Sequence, residues 1–90
     1  MNARDVKYLA EFTQLEDAIK SLLAGHGPAL QGAILGDLVG MWLAGHPAER
    51  REWLLDHHVD MVRKMVPVNE AALFGEAGNP LNGTMAGEIA

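Results

Sequence analysis

The chain has 90 residues, a net charge of −5 at pH 7 and no cysteine. The hydrophobic fraction of 49% and the charged fraction of 21% are typical of a globular domain and exclude a disordered chain. The acidic balance disfavours nucleic acid as a partner. Without cysteine, disulfides, thiol chemistry and zinc–thiolate sites are excluded, so stability depends on packing or on oligomerisation.

The first twelve residues, MNARDVKYLAEF, contain four charged side chains and lack the apolar segment of a signal peptide. We therefore predict a bacterial protein of the cytoplasm.

A first helix is predicted over about residues 5–24. One apolar face repeats at steps of three and four residues, formed by Tyr8, Phe12, Leu15, Ile19, Leu22 and Leu23. Thr13 and Glu16 have the spacing of a capping box, which would start the helix later. We favour the earlier start because the apolar face continues upstream of Thr13.

The second predicted helix, residues 28–44, is the centre of the sequence. Its only polar side chains are Gln31 and Asp37, and a helix that is apolar all round must be buried all round or lie in lipid. Seventeen residues fall short of the roughly 20 that a membrane span needs. Three glycines recur at four-residue spacing: Gly32, Gly36 and Gly40. Each costs roughly 0.8–1 kcal/mol relative to alanine in a helix interior. They therefore predict that another backbone approaches closely here, from either the adjacent helix or a symmetry mate.

Two similar corners frame this helix. The segment LAGHGPA at residues 23–29 resembles LAGHPA at residues 43–48, with a period of about 20 residues. In both, a glycine ends one helix and a proline starts the next. We interpret this as one helix-stop, helix-start device used twice, and short connections of this kind favour antiparallel neighbours.

A third helix is predicted over residues 47–66, ended or kinked by Pro67. A short fourth helix follows over residues 69–74, capped by Asn69 and closed by Gly75. The predicted fold is thus all-α: a small antiparallel bundle of three main helices, a short fourth helix and a C-terminal tail.

The predicted domain covers residues 1–74, and residues 75–90 are a tail rich in glycine and asparagine. This tail is expected to be flexible or to dock as an arm on a neighbouring surface. The arm would use its three apolar residues at four-residue spacing, Leu81, Met85 and Ile89.

No catalytic, cofactor-binding or metal-ligating residue is predicted, and the chain is not expected to be an enzyme. It contains just one serine, and neither a phosphate loop nor a dinucleotide fingerprint. His26 and His46 are expected to interact with the last carbonyls of the preceding helices. Asp56, His57, His58 and Asp60 are the only dense cluster of metal-ligand types, but their spacing is not that of a helical zinc site.

Three further positions have more than one interpretation. A buried Asp37 would need a partner, and His58, Arg51 or a symmetry-related group are the candidates. Trp53 falls on the polar face of the third helix, where it either marks a contact site or is covered by Arg50, Lys64 or the C-terminal segment. The pair Arg50–Arg51, flanked by acids, favours a solvated, salt-bridged turn over a phosphate site.

The predicted function is protein–protein interaction by a soluble homodimer or higher homo-oligomer built on the central helix, with a further protein partner possible and neither nucleic acid nor membrane. The predicted interface residues are Gly32, Gly36, Asp37, Gly40, Trp42, Trp53 and His58. The alternative is a helical bundle that binds a ligand or metal on the surface formed by Trp53, Asp56, His57 and Asp60. A DNA-binding helix-turn-helix is ranked low, because acids and bases are balanced on the third helix.

Overall fold

The computed structural model describes residues 1–83. Within that range it contains three helices and no strand: α1 spans Ala3–Leu23, α2 spans Pro28–Ala44 and α3 spans Ala48–Phe74. The chain divides into two compact units, Met1–Trp42 and Leu43–Ala90. The prediction of an all-α fold is therefore confirmed, and the bounds of the central helix match those predicted from its sequence.

The start of α1 is fixed by a capping box at Asn2. The Asp5 amide donates to Asn2 Oδ1 at 2.9 Å, and the Asn2 amide donates to Asp5 Oδ2 at 3.4 Å. These two bonds satisfy backbone donors that have no partner inside the helix. The helix therefore begins two residues before the predicted position, and Thr13, the alternative start, lies inside it.

The first corner ends α1 and starts α2 within four residues. Gly25 adopts a positive φ of 81°, which is the left-handed conformation that favours glycine. The His26 amide donates to the Leu23 carbonyl at 3.2 Å. The side chain of Gln31, in the first turns of α2, reaches back and donates to the same carbonyl at 2.8 Å. A residue of the following helix thus caps the preceding one.

The second corner uses the same device with a charged side chain. Arg51 Nε donates to the carbonyls of His46 at 2.9 Å and Leu43 at 3.1 Å, and its Nη2 donates to the Ala44 carbonyl at 3.0 Å. Arg51 stands 20 residues after Gln31, so the local repeat extends to the capping side chain. A guanidinium beside the last carbonyls of α2 also complements the negative end of the helix dipole.

The third helix runs through Pro67, so the separate fourth helix predicted for residues 69–74 is instead the last part of α3. An interior proline removes one backbone donor and typically costs about 3 kcal/mol. The residues that follow, Glu70-Ala71-Ala72-Leu73, are strong helix formers and continue the helix. The Asn69 side chain donates to the Met65 carbonyl at 2.9 Å, where the prediction made it a helix cap.

Residues 75–83 form turns that are held against the end of α3 by Glu70. Its Oε2 accepts the amide of Asn79 at 3.2 Å and the side-chain amide of Asn82 at 2.9 Å. Gly78, directly before Asn79, has a φ of 77°. The predicted arm residues Met85 and Ile89 lie outside the described residues.

No residue of α1, α2 or α3 is buried. The most protected apolar side chains of the described chain are only half-buried; they are Leu23, Val39, Leu43, Leu54, Leu55 and Val59. The described residues therefore contain no buried core, and the antiparallel arrangement of the bundle stays a prediction.

Replacing Arg51 by alanine should lower the free energy of unfolding by about 1 kcal/mol, because three carbonyls at the end of α2 lose a charged donor. Glutamine at this position should recover part of the loss, since Gln31 performs the same task at the first corner. Urea titrations followed by circular dichroism measure both effects. Arg50→Ala is the matched control, and an equal loss in that variant would contradict a capping role for Arg51.

Candidate interaction surface

The apolar surface of α2 is open to solvent. Six of its large side chains are between 37% and 63% exposed: Leu30, Ile34, Leu35, Leu38, Met41 and Trp42. A helix of this composition is normally surrounded by other apolar groups. Exposure at this level therefore leaves much of the hydrophobic free energy of α2 unrealised in one copy of the chain.

The glycine strip of α2, formed by Gly32, Gly36 and Gly40, faces open space. Apart from neighbouring residues and the backbone of α2 itself, no atom of the described chain lies within 4 Å of the Cβ position of any of the three. The sequence predicted close approach of another backbone along this strip, from the adjacent helix or from a second copy. The adjacent helix does not approach the strip this closely within the described chain.

Asp37 lies at the border of the glycine strip and is exposed. It forms no hydrogen bond or ion pair with any residue in the described range. The prediction of a buried carboxylate in need of a partner is therefore wrong for the single chain. Arg51, one of the candidate partners, instead donates to backbone carbonyls.

On α3, Trp53 and His57 form a stacked pair with ring centroids 5.3 Å apart and an interplanar angle of 5°. Trp53 is still 64% exposed, so its outer face is free for contact with another molecule. Asp60 and Lys64 lie one and two turns after His57, and the Lys64 ammonium donates to Asp60 Oδ2 at 2.8 Å. Helical spacing places all four side chains on one face of α3, with an aromatic end and a charge-neutral end.

His58 is half-buried on the other side of α3 and engages in a polar or aromatic contact. The possible ligands Asp56, His57, His58 and Asp60 are not arranged to hold a metal ion. Elsewhere in residues 1–83, no group of three or more histidine, aspartate or glutamate side chains is arranged to hold one either.

The structure adds functional residues that the sequence interpretation missed. Gln31 and Arg51 donate to backbone carbonyls at the ends of α1 and α2, a role that the prediction gave to His26 and His46 and not to these two residues. The signal was present: the 20-residue repeat that relates the histidines also relates Gln31 to Arg51. No sequence signal marks Glu70, because its role as a hydrogen-bond acceptor depends on how residues 75–83 turn.

No helix within residues 1–83 is both long enough and apolar enough to cross a bilayer. This includes α2, which has 17 residues and is the most apolar of the three helices.

The Lys64 ammonium lowers the pKa of the Asp60 carboxyl below its ordinary value, through their hydrogen bond and then through its charge. The stability that this pair contributes is therefore present above the ordinary carboxyl pKa and is lost as the pH falls through the lowered one. A carbon-detected NMR titration should show Asp60 titrating below the usual range. Lys64→Met or 1 M NaCl should move it back, and an unchanged titration in both would refute the pairing.

A scan against protein-family models, a search of curated proteins and a search of solved structures each found no match to this chain. The case for a function therefore depends on the geometry of the chain itself.

Proposed function

We propose that this protein acts through protein–protein contacts as a homodimer or higher homo-oligomer, with α2 at the centre of the interface. The observation that carries the proposal is that α2, apolar around nearly its whole circumference, has no buried residue in a single copy. Burial of apolar surface is worth roughly 25 cal/mol per Å², so a second apolar surface is strongly favoured there.

The glycine strip supports a second copy as that surface. Three glycines in a helix interior together cost roughly 2–3 kcal/mol against alanine. That cost is offset where a glycine lets another backbone approach closely, and the space above Gly32, Gly36 and Gly40 is open. Gly36 is the midpoint of α2. A twofold axis at that point pairs Gly32 with Gly40 of the copy, which matches small residue to small residue along the contact.

The same arrangement would complete the antiparallel bundle that the sequence predicts, with the missing core formed between copies. Asp37, at the border of the glycine strip, would keep its charge at the edge of the contact, in water. Cytoplasmic location and a role without catalysis belong to the same proposal, and they are supported by the composition and by the residue types present.

Gly36→Leu should convert the oligomer to monomer, because the added side chain fills the space that the second backbone needs. The folded single chain should tolerate the change, since nothing lies within 4 Å of the Gly36 Cβ position. Size-exclusion chromatography with light scattering at micromolar concentration measures the mass, and circular dichroism measures the helix content.

Ala10→Leu is the matched control: it adds the same side chain at an exposed position of α1 and should leave the mass unchanged. A well-folded wild-type monomer at these concentrations would overturn the proposed function. An oligomer that survives Gly36→Leu would place the contact elsewhere on the chain.

A second candidate is favoured by the stacked pair on α3. Trp53 is exposed and backed by His57, so the indole offers a flat platform for an aromatic ligand. The Trp42→Phe variant isolates the fluorescence of Trp53. Titration with adenosine should then give saturable quenching, and His57→Ala, which removes the ring stacked on Trp53, should weaken it. Fluorescence that falls linearly, without saturation, would discard this candidate.

A further inference from the structure

A second exposed apolar surface lies on α1, and its spacing is that of a coiled-coil seam. Its five members follow one another at steps of four, three, four and three residues, and they are 45–76% exposed; this α1 stripe consists of Tyr8, Phe12, Leu15, Ile19 and Leu22. Alternating steps of three and four keep one line of side chains facing a partner helix. The stripe therefore fits another helix laid along α1.

The charges beside the α1 stripe indicate what kind of helix fits. Glu11 and Glu16 flank the stripe on opposite sides, and each is paired within α1, to Lys7 at 3.8 Å and to Lys20 at 3.1 Å. The flanks therefore carry little unpaired charge, and they neither demand a basic partner nor repel a neutral one. A copy of the same helix has this character.

The flanking acids also select an orientation. If Leu15 is given core position d of the heptad, Glu11 occupies position g and Glu16 position e. A parallel pair brings position g of one helix to position e of the other, which would set Glu11 against Glu16 of the copy twice. An antiparallel pair brings g to g and e to e. If its axis lies near Leu15, Glu11 lies near Ala18 of the copy, and the two like-charge contacts are reduced to one, between Glu16 and Glu16 of the copy. Antiparallel helix dipoles favour the same choice.

The area available also points to two helices acting together. From the exposed fractions, the five side chains of the α1 stripe offer about 400 Å² per protomer. A standard interface needs about 800 Å² per partner. The stripe supplies about half of this, and further exposed apolar area lies on α2, most of which belongs to the same compact unit.

If α1 and α2 lie antiparallel, as a short corner favours, the centres of the two surfaces coincide in height. Leu15, the middle of the α1 stripe, lies eight residues before the end of α1, and Gly36 lies eight residues after the start of α2. In a hairpin closed by a four-residue corner, these two positions are level with each other. One twofold axis can therefore pass between both pairs of helices.

We propose that a second copy of this chain binds along the α1 stripe as well as α2, so that two α1–α2 hairpins form one antiparallel four-helix bundle. The proposal rests on the proposed oligomer and specifies its partner surface, its orientation and its axis. In it, Leu15 of each copy lies near the axis.

Leu15→Glu tests the surface. Leu15 is 64% exposed in the single chain, so its replacement should leave the helix content unchanged while weakening the dimer at least 10-fold. Ala10→Glu adds the same charge on the opposite side of α1 and is the matched control. Sedimentation velocity across a dilution series gives the dissociation constant of each form.

The outcomes separate the two proposals. A monomeric wild-type protein sinks the oligomer itself. A wild-type dimer that Leu15→Glu leaves intact sinks only the role of the α1 stripe, and the oligomer stands. A dimer lost in Leu15→Glu and kept in Ala10→Glu supports both.

A distance measurement tests the orientation without disturbing the interface. Because the chain has no cysteine, Ala3→Cys carries a single nitroxide label at an outward position of α1. At 1.5 Å per residue, an axis near Leu15 puts the two labels roughly 35–40 Å apart. Double electron–electron resonance should find this distance. A separation of about 20 Å or less means parallel helices and overturns the proposed bundle.

Discussion

An apolar helix exposed to water is the constraint on which the rest of this structure depends. Of the 17 residues of α2, only Gln31 and Asp37 are polar, and none of the 17 is buried. One of those two polar side chains has a structural task, because Gln31 donates to the Leu23 carbonyl. The hydrophobic effect makes this state costly in isolation. Our proposal of assembly between copies rests on that cost more than on any single contact.

The two corners show how a small chain without cysteine ends one helix and begins the next. At each corner a side chain of the following helix donates to a carbonyl at the end of the preceding one. The donor is Gln31 at the first corner and Arg51 at the second. Both bonds span eight residues, from position 31 to 23 and from 51 to 43. They are local in sequence, so they form without a core, and this suits a chain whose core is proposed to lie between copies.

The chain presents apolar groups on α1 and α2 and a mixed surface on α3. Trp53 stacks on His57, and Asp60 is neutralised by Lys64 on the same face. Because the ion pair is exposed, it adds little to stability, and its effect is to leave that end of the face without net charge. This face of α3 therefore differs in its chemistry from the apolar surfaces of α1 and α2.

The sequence by itself determined the all-α class, the bounds of α2 and the repeated corner, because periodicity, glycine and proline act over a few residues. It misplaced the end of the third helix: Pro67 alone predicts a stop, but the helix formers after it continue α3 to Phe74. The candidate surface followed in part, since the glycine spacing is visible in the sequence. Only the tertiary structure decided that the space above Gly36 is open and that Asp37 is exposed. It also showed that Glu70 holds the turns after α3, because these properties depend on which groups meet in space.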